Sequence, residues 1–295
     1  MSGKRGIMGL LDSLKKAFAG NPRVDLSTRF ERLKEAVAGT MSKFYKARDL
    51  TTGTVVGLKL LDSKKLDPIE ARYRGLGKPS EGEIGSQITG DNIVKTLEWG
   101  VARDGTKFVV QEYIEGPGLH SLLGRKTEMD AATRIDLVCQ AAKALAAVHG
   151  AGFVHRDICP RNFLLEPGGR LVLIDFGLTV PDKPPFMQPG NRVGTPSYMA
   201  PEVVRRRQAD HRLDIFSFGV SAYEILTSEM PWPRGGSGHA AMRSSDPTDI
   251  REYWPEIPDA LARLVMSCLS ADPNERPASM DNIVNALEAL QTPAA

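Results

Sequence analysis

Three residues set the chemical question: Asp157, Asn162 and Asp175. Asp157 closes the triplet His155-Arg156-Asp157, and Asn162 follows five residues later. An Asp and an Asn at that spacing in one loop can place a proton acceptor beside a metal-binding amide. Leu171-Val172-Leu173-Ile174 then reads as a short apolar strand ending at Asp175-Phe176-Gly177. There a carboxylate can meet Mg²⁺ while the phenylalanine packs inward. Phosphoryl transfer from ATP asks for such a set: metal held by carboxylate or amide oxygens, a cation on the phosphates, and an acceptor for the hydroxyl proton. Asp-Phe-Gly alone is a weak signal, since three residues recur by chance; behind HRDxxxxN at this distance it is a strong one. The competing reading takes Asp157 as an N-capping residue and Asp-Phe-Gly as a turn.

These groups need elements to hold them. From residue 29 to about 114 strand signals dominate. TTGTVVGLKLL (51–61) is a turn followed by a β-rich run. NIVKTLEWGVARDGTKFVVQEYIEG (92–116) reads as strands with a hairpin at Asp104-Gly105. From about 117 helices take over. Residues 130–152 place Ile135, Val138, Cys139, Ala142, Leu145 and Ala146 at helical spacing and stop at Gly150 and Gly152. DIFSFGVSAYEILT (214–227) is apolar nearly all round, as a buried helix should be. Residues 259–271 and 279–290 predict two more helices. Strands first and helices after predict an α+β protein with two lobes. Residues 1–28 stand apart: GLLDSLKKAFAG (9–20) aligns Leu10, Leu11, Leu14, Ala17 and Phe18 on one helical face. This is read as a docked helix or frayed tail, with a peripheral membrane anchor as the alternative.

Composition excludes several classes. Lys plus Arg total 38 against 36 Asp plus Glu, a net charge of +2 that draws the chain toward neither nucleic acid nor membrane. The apolar share of 41% is ample for a core in 295 residues. Cys139, Cys159 and Cys268 are far apart and odd in number, which fits free thiols in a reducing cytosol. No apolar run is long enough for a transmembrane helix, and no signal peptide is expected. A cytoplasmic location is the expectation.

From about Arg29 to Leu290 the chain resembles a protein kinase of the eukaryotic-like serine/threonine type found also in bacteria. VGTPSYMAPE (193–202) resembles the segment that closes the activation loop. DIFSFGV (214–220) resembles the DxWSFGV core helix, with Phe216 in place of Trp. DPNERP (272–277) supplies Arg276, which in the family pairs, buried, with the Glu here numbered 202. The resemblance implies a bilobal kinase fold, with an extension at 1–28, an N-lobe at 29–114, a C-lobe at 115–290 and a tail at 291–295. It implies ATP, Mg²⁺ and a protein substrate accepting phosphate on Ser or Thr. Asp157 would orient the hydroxyl and accept its proton, while Asn162 and Asp175 hold metal. VGLK (56–59) resembles VAIK, so Lys59 would position the phosphates. Family spacing back from Ile93-Val94 lands on Glu81 as its partner, with Glu83 as runner-up; the other carboxylate would be solvated. FYKARD (44–49) resembles VYKA, which places the phosphate-covering loop at VAGTMSKF (37–44). There Gly39 survives, while Val37 and Ser42 occupy the other glycine positions, so weaker ATP binding is expected. FVVQEYIEG (108–116) resembles the hinge: Gln111 as gatekeeper, the backbone of Glu112 and Ile114 toward adenine.

Departures from the pattern carry expectations of their own. Most serine/threonine members carry Lys where this chain has Cys159. Arg161 stands where tyrosine kinases carry Arg, and is read as the substitute cation on the γ-phosphate, against a solvated loop Arg. Thr195, seven residues before Glu202, favours the serine/threonine branch. A pseudokinase scaffold is the alternative function. A small-molecule kinase is the third reading, and the GTxxYxAPE segment argues against it. Cys159 is weighed as a redox switch, provided Arg156 and Arg161 lower its pKa. Arg156 is the residue that in many kinases grips an activation-loop phosphate. Yet residues 180–194 contain no Ser, Thr or Tyr, and Asn191 occupies the usual phosphosite. PSEGEIGSQI (79–88) predicts a helix weakened by Gly82 and Gly85, about 1 kcal/mol each. A regulatory partner at the N-terminal helix or at this helix is expected to complete the Lys59–Glu81 pair.

Overall fold

The computed structural model describes residues 24–34, 37–38, 41–125, 127–232 and 245–291. The stretch 9–20 and Gly39 lie outside the described residues. The chain divides into two compact units, one of residues up to Arg72 with Thr96–Tyr113, the other of Tyr73–Lys95 with Ile114 onward.

The first unit is an antiparallel sheet. Its strands are β1 (Phe30–Arg32), β2 (Val37–Ala38), β3 (Ser42–Asp49), β4 (Val55–Leu61), β5 (Thr96–Val101) and β6 (Lys107–Glu112). They lie in the order β1-β3-β4-β6-β5, with β2 on β3. The expected hairpin turn joins β5 to β6. The Thr106 amide donates to the Asp104 carboxylate at 2.9 Å, and Gly105 takes φ 86°, which glycine adopts without strain. Phe30, Ala47, Val56, Leu58, Phe108 and Val110 make the core. A short lead-in helix, α1 (Leu26–Arg29), ends in an arginine that binds Asp49 at 2.8 Å and Glu98 at 2.7 Å. Burial alone would raise the Asp49 carboxyl, but bonds from Arg29 and Thr51 hold it at about 2. Helix α2 (Ser63–Glu70) follows β4.

The second unit is helical. In chain order it holds α3 (Glu81–Gln87), α4 (Leu119–Gly124), α5 (Ala131–Gly150), α6 (Pro201–Val204), α7 (Arg212–Thr227), α8 (Asp259–Cys268) and α9 (Met280–Gln291). Asp130 caps α5 by accepting the Thr133 amide at 2.7 Å. Every residue of α7 from Leu213 to Leu226 is buried, as its all-round apolar character predicts. Helices α5 and α8 pack on α7, and α9 packs on α5. Each fully buried Ile215, Phe216 or Phe218 contributes about 1.5–3 kcal/mol. Two strand pairs complete the unit: β7 (Phe153–Val154) with β10 (Val180–Pro181), and β8 (Phe163–Leu165) with β9 (Leu171–Leu173).

One boundary differs from expectation. Residues 73–95, assigned to the N-lobe, group with the helical unit. Backbone bonding is the reason. The Val94 amide donates to Leu173 O at 3.0 Å, the Leu173 amide to Asn92 O at 2.9 Å, and the Asn92 side chain to Leu171 O at 2.8 Å. Helix α3 thus belongs to the same body as β9. Among the described residues no helix is long and apolar enough to cross a membrane.

Candidate active site

Strand β7 delivers the chain into His155-Arg156-Asp157, and a buried carboxylate fixes the turn there. Asp214, near the start of α7, accepts the His155 and Arg156 amides at 2.7 Å each, and its Oδ2 lies 3.0 Å from His149 Nε2. Burial would raise the Asp214 carboxyl; the bond from His149, the imidazoles of His149 and His155 and the His155 amide hold it below its ordinary value. Arg156 sits at φ 68°, a left-handed conformation unfavourable for a residue with a side chain, and the Asp214 bond to its amide holds it there.

Asp157 is then gripped from two sides. Its Oδ1 accepts the Thr195 amide and hydroxyl, both at 2.7 Å. The Asn162 amide nitrogen donates to Asp157 O at 2.7 Å and to Asp157 Oδ2 at 3.1 Å. The donor end of Asn162 therefore faces Asp157, and its amide oxygen is the atom that could meet a metal ion. Gly194 lets the activation segment return to this loop: it has φ 113°, and a Cβ there would fall 2.5 Å from Arg156 O.

Asp175 follows β9, and its Oδ1 accepts the Gly177 amide at 2.9 Å. Phe176 is fully buried, edge-on to the His155 ring at 5.9 Å. Glu81, buried on α3, reaches the same place: a Cβ on Gly177 would lie 3.2 Å from Asp175 Oδ1 and 3.4 Å from Glu81 Oε2. Glu83, expected to be solvated, completes a capping box at the exposed end of the helix. Its carboxylate accepts the Ser80 amide at 2.8 Å, and Ser80 Oγ accepts the Glu83 amide at 3.3 Å. That division of labour separates the two candidates and supports a helix otherwise weakened by Gly82 and Gly85.

The second unit thus brings Glu81, Asp157, Asn162, Asp175 and Thr195 together; Ile114 belongs to it and is buried. Lys59 and Glu112 stand in the first unit. Lys59 lies in β4 opposite Phe44 of β3 and Val109 of β6, and Glu112 pairs with Val56. Val37 in β2 faces Phe44 in β3, and Ser42 opens β3, so both glycine replacements lie in paired strands. Gln111 is buried.

Two expectations are corrected at the catalytic loop. Cys159 is fully buried, its sulfur 3.6 Å from Thr195 Oγ1. Burial, then the Asp157 carboxylate, push its thiol up to about 11, the opposite of what a redox switch needs. Peroxide at neutral pH is expected to change activity by less than about twofold; inactivation that disappears in Cys159→Ser would reverse this conclusion. Arg156 also fails to serve as a neighbour that lowers this pKa, because it is held by Tyr73 and Leu178. Arg161, in contrast, is exposed.

Glu202 and Arg276 form the buried pair. Arg276 Nη1 and Nη2 donate to the two Glu202 oxygens at 2.7 and 2.8 Å, and the guanidinium lies 5.1 Å from the Phe216 ring centre. Phe216 stacks on Trp232 at 5.9 Å. Three features escaped the sequence reading. The capping box had a signal, Ser-x-x-Glu at 80–83. The contacts of Tyr73 and of Asp214 had none, since their partners lie 83 and 58–59 positions away.

A model of the protein kinase domain matches residues 30–292. The serine/threonine-protein kinase pkn3 of Myxococcus xanthus is 32% identical over 267 residues, 85% of this chain and 48% of that protein. The serine/threonine-protein kinase PknA of Mycobacterium tuberculosis is 31% identical over 251 residues, 82% of this chain and 56% of that protein. A probable serine/threonine-protein kinase of Clostridium perfringens is 28% identical over 275 residues, 90% of this chain and 39% of that protein. The chain therefore spans about half the length, or less, of these curated relatives. With the His155–Asn162 loop, the Asp175-Phe176-Gly177 turn and the Glu202–Arg276 pair in the order described, the chain belongs to the protein kinase domain family.

Proposed function

We propose that this chain transfers the γ-phosphate of ATP to serine and threonine hydroxyls of a protein substrate. The observation that carries the reading is Asp157 held between Thr195 and Asn162. A carboxylate fixed by bonds to both oxygens can orient a hydroxyl and take its proton without reorganising. Asn162 and Asp175 offer hard oxygen donors of the kind Mg²⁺ prefers, and when bound the ion would offset the charge of the transferring phosphoryl group. Lys59 would bind the phosphates, with Glu81 orienting its ammonium. Gly39 and the backbone of Glu112 and Ile114 would hold the nucleotide. Three unpaired cysteines support a cytoplasmic setting.

Arg161 would supply the positive charge that Cys159 cannot. Its exposure fits a group that meets a phosphate rather than a buried partner. Arg161→Ala is expected to lower kcat about 10–100-fold, with Arg161→Lys recovering part of it. A loss under about twofold would make Arg161 a solvated loop residue.

The strand-paired Val37 and Ser42, together with Cys159, favour the second reading, a nucleotide-binding scaffold without transfer. Radiolabelled ATP with Mg²⁺, offered to the chain itself and to a generic basic protein, separates the two. Label on Ser or Thr supports the kinase. Folded protein that binds ATP without transferring label supports the scaffold.

A further inference from the structure

The Arg156 guanidinium is committed within the second unit. Its Nε donates to Leu178 O at 2.8 Å, its Nη1 donates to the Tyr73 hydroxyl at 2.5 Å, and it lies 5.5 Å from the Tyr73 ring centre. Tyr73 is 3% exposed and Arg156 6%. Tyr73 also reaches the activation segment, its ring 5.7 Å from that of Phe186, in the turn Pro184–Phe186. A single tyrosine thus touches the arginine next to Asp157 and the segment that carries Thr195. It also stands in the stretch leading to α3 and Glu81. From Asp175 to Gly194 the only hydroxyl-bearing residue is Thr179, and it is fully buried. A phosphate cannot reach this arginine from its own segment unless Thr179 is first unpacked.

We propose that Tyr73 is a positioning residue for phosphoryl transfer: its hydroxyl holds Arg156 in the role of an activation-segment phosphate, so the catalytic loop is set without phosphorylation. A charge-assisted bond in a buried site is stronger than a neutral one, and a buried guanidinium that loses an acceptor is costly. The contact between Tyr73 and Phe186 gives the same residue a hold on the segment that returns Thr195 to Asp157. Asn191 and Arg156 line one pocket, together with Arg207. An acidic side chain at 191 would open onto the same pocket as Arg156, which makes Asn191→Glu the substitution to set against loss of the tyrosine hydroxyl.

The inference rests on the kinase reading, so its test carries a readout independent of activity. Wild type, Tyr73→Phe, Asn191→Glu and the double variant are compared by steady-state kinetics and by hydrogen exchange across residues 178–194. Tyr73→Phe keeps the ring and removes the acceptor. It is expected to lower kcat about tenfold, leave KM for ATP within about twofold, and speed exchange in 178–194. Asn191→Glu is expected to leave wild type within about twofold and to restore most of the kcat lost in Tyr73→Phe. Unchanged kcat and exchange in Tyr73→Phe, or a loss that Asn191→Glu does not restore, overturns the proposal. If wild type transfers no phosphate, the kinase reading fails and exchange alone decides: unchanged exchange in Tyr73→Phe then overturns the clamp.

Discussion

Asp157→Asn is expected to fold, to bind ATP within a few-fold of wild type, and to lose about 10²–10⁴-fold in kcat. The substitution is nearly isosteric. An Asn Oδ1 can still accept both Thr195 bonds, so the activation segment keeps its anchor. What changes is the side facing Asn162, where the carboxylate oxygen accepting at 3.1 Å becomes an NH₂ opposite another NH₂. That costs one hydrogen bond and removes the negative charge that would receive the hydroxyl proton. Steady-state transfer measured beside calorimetric ATP binding makes the check. Retention of more than about a tenth of wild-type kcat would show that Asp157 is not the proton acceptor.

Arg276→Ala is expected to destabilise the fold by about 3–5 kcal/mol, because it strands the Glu202 carboxylate in a site where both side chains are almost wholly buried. For a chain of this size that lowers the thermal midpoint by roughly 6–20 °C. More than one bond is lost. Arg276 also donates to Arg212 O and to Ser270 O, both at 2.9 Å, and so ties the segment before α9 to the start of α7. Replacing both partners by methionine is expected to cost less than Arg276→Ala alone, since no unpaired charge remains. Thermal unfolding of the three proteins checks this, and a fall below about 3 °C for Arg276→Ala would mean that solvent reaches Glu202.

Much of this site was legible because its groups sit at short, fixed spacings. Asp157 and Asn162 share one loop, Asp175 ends a strand whose apolar run is plain, and Thr195 lies a set distance before Glu202. The longer helices α5, α8 and α9 were legible from periodicity, and α7 from the lack of it, whereas the short α1, α2, α4 and α6 were not. Burial was not legible. Cys159 stands between two arginines in sequence, yet the fold encloses its thiol and turns Arg156 toward Tyr73. Family spacing favoured Glu81 over Glu83, which share the first turn of α3, but what the second carboxylate does was not legible; the capping box assigns Glu83 to the helix end and leaves Glu81 beside Asp175. Register with distant strands placed residues 73–95 with the helical unit, because Asn92 and Val94 bond to a strand some 80 positions on.

The three thiols have a use beyond the reaction. Cys139 in α5, Cys159 in the catalytic loop and Cys268 in α8 are all buried, and burial first of all pushes them up to about 11, 11 and 12. At neutral pH the native chain should be almost silent to alkylating reagents, so a cysteine introduced on the surface could carry a probe with the native ones left in place. Each native thiol then becomes a clock for its own neighbourhood. The rate at which it becomes alkylated measures how often that part of the molecule opens, and three positions would show whether the helical unit opens as one body or in pieces.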